Sequence, residues 1–176
     1  MLKKMDRGVL EAMGPLARCG NPRYFTRPAP RLHDSTSMTD AFTIDDDAFR
    51  QLLVPGAQLE RLATGAVWSE GPAWIAADDS VVWSDIPNNR MLRWSARGGM
   101  AVFRAPSGFT NGHTLDLEGR LVSCSHGHRR VERTEPDGRV VTLVDAFAGK
   151  RLNSPNDVVV KSDGTIWFTD PPYGIV

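Results

Sequence analysis

The sequence predicts an all-β fold, a β-propeller present here as about three blades. Two observations predict it. One plan occurs three times, a polar entrance, a strand, an acidic or glycine turn and a second strand, starting at Glu70, Asn111 and Asn156. These entrances lie 41 and 45 residues apart, and a second set of markers, Trp83, Ser123 and Phe168, lies 40 and 45 apart. A period of that length made of short strands is what four-stranded blades produce, whereas helical solenoids of similar period would show 3.6-residue periodicity. None is visible. Equivalent positions of successive blades are related by rotation about a central axis, so Glu70, Asn111 and Asn156 form a set that converges on it.

Residues 1–37 carry Lys3, Lys4, Arg7, Arg18, Arg23, Arg27 and Arg31 against Asp6, Glu11 and Asp34, an excess of four cations that the remainder of the chain balances. Pro22, Pro28 and Pro30 argue against a helix there, and the stretch is expected to be a disordered or non-native extension, with Met38 as the true start. Residues 38–58 read as a lead-in, in which Asp45 or Asp46 caps a short helix through Ala48, Phe49, Leu52 and Leu53, stopped by Pro55-Gly56 and packed as a lid or belt. From 59 to 176 the pattern is all β. Leu59 to Trp68 reads as a strand interrupted at Thr64-Gly65. Further strands are expected at 73–76, 81–84, 91–94, 101–104, 114–117, 121–125, 130–134, 140–144, 158–161 and 166–169, with turns at Asp78-Asp79, Glu118-Gly119, Asp137-Gly138 and Asp163-Gly164. The third repeat is cut after two strands, so the sequence reads as a fragment or as a chain completed by another.

With 41% apolar and 24% charged residues and 21 cationic against 21 acidic side chains, the composition is globular, and nothing in the net charge points to nucleic acid or a membrane surface. No apolar run is long enough for a bilayer span and no secretory leader is visible, which makes a cytoplasmic protein the default. Cys19 and Cys124 do not make a disulfide framework, and Cys124, in a strand, is expected to be a buried small hydrophobe. Trp68, Trp74, Trp83, Trp94 and Trp167 alternate with polar residues and read as packing between blades. His113, His126 and His128 lack the companion ligands of a transition-metal site, and no phosphate loop or nucleophile elbow is present.

The stretches WSEGPAW (68–74), WSDIPNNRMLRW (83–94), PSGFTNGHTLDLEGRLVSCSHGHRRVER (106–133) and GKRLNSPNDVVVKSDGTIWFTDPPYGI (149–175) resemble the gluconolactonase and regucalcin (senescence marker protein) family. The resemblance covers about residue 49 onward. It implies a six-bladed propeller with one divalent cation in its channel, Ca²⁺ foremost and Zn²⁺, Mn²⁺ or Mg²⁺ as alternatives, and hydrolysis of a sugar lactone as the activity. It implies Glu70 and Asn156 as metal ligands and places a third ligand, an aspartate that doubles as general base, beyond Val176. Asn111 matches a substrate-contacting asparagine. Phe109 and Ser125 depart from relatives that carry an arginine and a glutamate there. His126, near the top of its blade, is positioned to bond a sugar hydroxyl. A hard cation suits this oxygen donor set.

Each site residue also has a plainer reading. Glu70 can be an exposed strand-end carboxylate, Asn156 and Asn111 turn residues, His128-Arg129-Arg130 a solvated loop, and Asp157 and Asp170 turn-fixing groups. A second class of function, a propeller for protein interaction, is suggested by Trp83-Ser84-Asp85 and Phe168-Thr169-Asp170, although the Gly-His partner of Trp-Asp repeats is missing. An inactive truncated product is the third reading.

Overall fold

The computed structural model describes residues 2–5, 44–54 and 59–172. They belong to two compact units divided between Thr64 and Gly65, with Leu2–Met5 in the second. In the first unit Asp46 caps a single helical turn, α1 (Asp47–Arg50), by accepting the Ala48 N–H at 2.8 Å. The cap is where the carboxylate pattern puts it, but the helix is shorter than expected and buries none of its residues. No strand runs through 60–68, where one was expected. The Val67 and Trp68 N–H groups are taken by the Asp85 carboxylate, at 2.9 and 3.3 Å, which removes them from any ladder.

The second unit is a stack of blades. β1 (Leu2–Met5) pairs antiparallel with the last of the described strands, and the rest of the N-terminal extension lies outside the described residues. β2 (Ser69–Ile75), β3 (Ser80–Asp85), β4 (Arg90–Ser95) and β5 (Gly99–Arg104) form one four-stranded antiparallel sheet. β6 (Thr110–Leu115), β7 (Leu121–Ser125), β8 (Arg130–Thr134) and β9 (Val140–Val144) form the second. β10 (Ala146–Phe147) and β11 (Lys150–Arg151) make a two-stranded hairpin, and β12 (Val158–Val160) with β13 (Ile166–Thr169) begins a third blade, β1 lying on its far side. Each full sheet is an up-and-down meander, and the expected turns at Asp78-Asp79, Glu118-Gly119 and Asp137-Gly138 close three of their six hairpins. The fold is thus all-β and a partial propeller.

Strand register bears out the repeat. Ala73 pairs with Val82, Thr114 with Val122 and Val159 with Trp167. Each first member stands three residues after Glu70, Asn111 or Asn156, and each second member one residue before Trp83, Ser123 or Phe168. The same register relates Asp85, Ser125 and Asp170, and all three fasten the segment entering their blade. Asp85 accepts from Val67 N–H, Ser125 Oγ donates to the Gly108 carbonyl, and Asp170 accepts from Asn153 N–H, at 2.9, 2.8 and 2.8 Å. The turn-fixing role expected of Asp170 is therefore met.

Apolar residues fill the seams between blades, because a blade buries both of its faces. Ala73, Val82 and Met91 pack with Leu121, flanked by Ile75, Phe103 and Leu115. Val122, Cys124 and Val131 pack with Leu152, Val158, Ile166 and Phe168. Cys124 is fully buried, and burial pushes its thiol pKa well up. Trp83, Trp94 and Trp167 are half-buried as packing residues should be, whereas Trp68 and Trp74 are exposed. No helix among the described residues is long and apolar enough to cross a membrane.

Candidate functional site

The three polar entrances meet because the residue after each of the first two lets backbones touch. Gly71, in the left-handed region at φ 57, sits against the Asn111 carbonyl and the Gly112 Cα, in space that a Cβ would occupy. Gly112 in turn leaves no room for a Cβ beside the Asn156 carbonyl and the Asp157 Cα, and its N–H donates to the Asn156 carbonyl at 2.7 Å. Both glycines lie in β-bulges, between Glu70 and Ala73 in β2 and between Thr110 and His113 in β6. A bulge turns a side chain out of strand alternation, here on the strands that line the axis. Glu70-Gly71, Asn111-Gly112 and Asn156-Asp157 therefore form a contiguous backbone stair. The structure brings together the three residues that the repeat singles out.

Their side chains differ in engagement. Glu70 is exposed and Asn156 half-buried, and neither side chain has a hydrogen bond or ion pair among the described residues. Asn111 is buried, with its Nδ2 3.4 Å from the His126 Nε2. His126 is half-buried, and burial lowers its pKa, favouring the neutral ring. Asp157 accepts from its neighbour Val158 N–H at 2.9 Å, and its own N–H goes to Thr169 Oγ1 at 3.0 Å, so it fixes the turn.

The loop leading into β6 is held from the first blade. Asn89 Oδ1 accepts from the N–H groups of Ser107 and Phe109, at 3.1 and 2.9 Å. Phe109, exposed and at φ 51, returns its carbonyl to His126 N–H at 3.2 Å. The 128–130 segment is more engaged than a solvated loop. Arg129 Nε donates to the Leu152 and Asn153 carbonyls at 2.7 and 3.0 Å, and Arg130 pairs with Glu132 at 2.8 Å. His128 is the most open of the three, its side chain half-exposed with Nδ1 3.6 Å from Glu132 Oε2.

Sequence reasoning missed the buried polar strap behind Asn111. His113 Nε2 lies 2.7 Å from Ser84 Oγ and His113 Nδ1 lies 2.8 Å from Ser123 Oγ. Burial, with the Arg104 charge nearby, lowers the His113 pKa to about 3, so the ring is neutral. The available signal was His113 at an inward-facing strand position, opposite Ser123 in the register.

Among the described residues no three His, Cys, Asp or Glu side chains cluster as a metal site. What the stair presents among the described residues is one free carboxylate on its first step and one free amide on its third, oxygen donors that suit a hard divalent cation rather than a soft one.

The architecture and the polar stair together define a partial β-propeller that carries three polar residues at one register position. Residues 68–176 match the family described as the SMP-30/Gluconolactonase/LRE-like region, and the chain belongs to that family. A gluconolactonase of Zymomonas mobilis subsp. mobilis (strain ATCC 31821 / ZM4 / CP4) is 34% identical over 131 residues, which is 66% of this chain and 37% of that protein. A solved gluconolactonase from Xanthomonas campestris superposes with a TM-score of 0.69 at 42% identity, covering 85% of this chain and 49% of that one. The chain thus spans less than half the length of either relative.

Proposed function

We propose that the whole protein to which these blades belong is a metal-dependent sugar lactone hydrolase that opens the cyclic ester to an aldonic acid. The observation that carries this reading is the stair itself, Glu70, Asn111 and Asn156 at one register position with their backbones in contact. It agrees with the gluconolactonases among the relatives.

Glu70 and Asn156 would hold the cation, Ca²⁺ or another oxygen-preferring divalent ion, through a carboxylate and an amide oxygen. When bound, such an ion supplies Lewis-acid polarisation of the lactone carbonyl. The chain's own residues do the rest of what is in view. Asn111 offers an amide able to donate to and accept from sugar hydroxyls. His126, neutral and beside Asn111, offers a second polar contact at the same rim. A general base is assigned to an aspartate beyond Val176, following the family resemblance. The domain reading (1–37 extension, 38–58 lead-in, 59–176 propeller) and a cytoplasmic setting belong to the same proposal.

The test is substitution in the whole protein. Glu70→Gln and Asn156→Ala should each weaken divalent-cation binding in calorimetry and lower kcat/KM for gluconolactone by at least about a hundredfold, the loss expected for a transition-state charge interaction. Unchanged metal affinity and rate in both variants would refute the proposal.

A further inference from the structure

The Asn111–Gly112 peptide links three blades. Its N–H donates to the Asn156 carbonyl in the third blade at 2.7 Å, and its carbonyl lies 3.0 Å from Ser84 Oγ in the first. The ladder cannot serve that carbonyl, because the β6 bulge skips Asn111: pairing passes from Thr110–Ser125 to His113–Ser123. A buried carbonyl without a partner is costly, so its orientation depends on the Ser84 hydroxyl. Ser84 is fully buried and its hydroxyl also meets Thr110 Oγ1 at 3.1 Å and His113 Nε2 at 2.7 Å.

We infer that His113 is a positioning residue for the site: as the Nε2–H tautomer, it fixes the Ser84 hydroxyl so that its proton points at the Asn111 carbonyl. The proton count follows from the partners. Asn111 O can only accept, so Ser84 must donate to it. Ser84 Oγ then receives the His113 Nε2 proton. His113 Nδ1, left as an acceptor, takes the Ser123 hydroxyl proton at 2.8 Å. The result is a one-way chain, Ser123 to His113 to Ser84 to Asn111, in which each bond polarises the next. A neutral imidazole accepts at one nitrogen and donates at the other, which suits a bridge between those two serines. Through the same peptide the chain also sets the Asn156 carbonyl, and with it the turn carrying the second candidate ligand.

This inference rests on the lactonase reading for its kinetic consequence but not for its geometry, and the test separates the two. In the whole protein, ¹⁵N-resolved NMR of the His113 ring should show a protonated Nε2 and an unprotonated Nδ1. Ser84→Ala and His113→Gln should each shift the Asn111 side-chain amide resonances. With gluconolactone as substrate, His113→Gln should raise KM by roughly tenfold, the size of one lost positioning hydrogen bond, and His113→Phe by more. Combined with Asn111→Ala, each should cost less than it does alone, because part of the effect runs through the Asn111 side chain. An Nδ1–H tautomer, unmoved Asn111 amide resonances, or losses that multiply in the double variant would each overturn it. Should the whole protein hydrolyse no lactone while the ring and amide signatures appear, the positioning chain stands and the lactonase proposal falls.

Discussion

Asp85 shows how much one side chain carries in this fold. It is fully buried and accepts from Val67 and Trp68 N–H, Asn88 Nδ2 and Arg90 Nε. Burial alone would push its carboxyl up, yet these donors outweigh it and hold the pKa at about 2, below the usual 3.8. A carboxyl whose folded pKa is depressed contributes stability that is complete above the unfolded value and fades as the pH falls through the folded one. Asp85→Asn should therefore destabilise by about 1–3 kcal/mol at pH 7. In urea unfolding the gap between wild type and variant should narrow between pH 4 and pH 2, and a gap independent of pH would contradict the assignment. From sequence alone Asp85 was only part of a Trp-Ser-Asp motif. Two of its donors, the Val67 and Trp68 N–H groups, come from a segment that the fold, not the local pattern, delivers.

At the scale of elements, the bulged strands are what make a site out of a sheet. Gly71→Ala adds a Cβ where the Asn111 carbonyl lies and forces alanine to φ 57. Gly112→Ala meets the Asp157 carboxylate and the Asn156 carbonyl. Either should cost about 2–4 kcal/mol through overpacking and backbone strain, visible as a lower Tm and faster amide exchange along β6. Gly119→Ala is the control for space, since nothing lies near its Cβ position, although its φ of 77 carries the backbone cost alone. A Gly112→Ala variant as stable as Gly119→Ala would show that the blades do not depend on this approach.

The strands were largely legible because alternation and acidic turns are local signals. Several elements were not, two of them for reasons the contacts show. Asn111-Gly112 reads as a turn dipeptide, which put the start of β6 near Thr114, but the Gly112 N–H finds its partner in another blade and the segment becomes a bulge in a longer strand. The β10–β11 hairpin has strands of two residues and turns through Ala148 and Gly149, at φ 49 and 74, and alanine is no signal for a left-handed turn. Of the site, Glu70, Asn111 and Asn156 were readable because the repeat marks them. His113 was not, since its role lies in contacts between blades that no period reveals.

For the whole molecule, ligand linkage gives the sharpest expectation. If Glu70 and Asn156 hold a cation only in the folded protein, Ca²⁺ at a hundred times its Kd should stabilise the whole protein by about 2.7 kcal/mol. Excess chelator should abolish the gain, and Glu70→Gln should never show it. A Tm shift of the same size in Glu70→Gln would move the cation elsewhere. Apolar seams also fill the joints between the blades.

The stair of touching backbones has a consequence for how such a protein diversifies. Blade spacing at the mouth is set by Gly71, Gly112 and main-chain carbonyls, not by the side chains of Glu70, Asn111 and Asn156. The rim side chains are therefore decoupled from the scaffold that aligns them. A lineage can exchange one rim side chain for another, and so change ligand or substrate, without reopening the problem of how the ring is held together. The glycines bear the architectural constraint, which leaves their neighbours free to innovate.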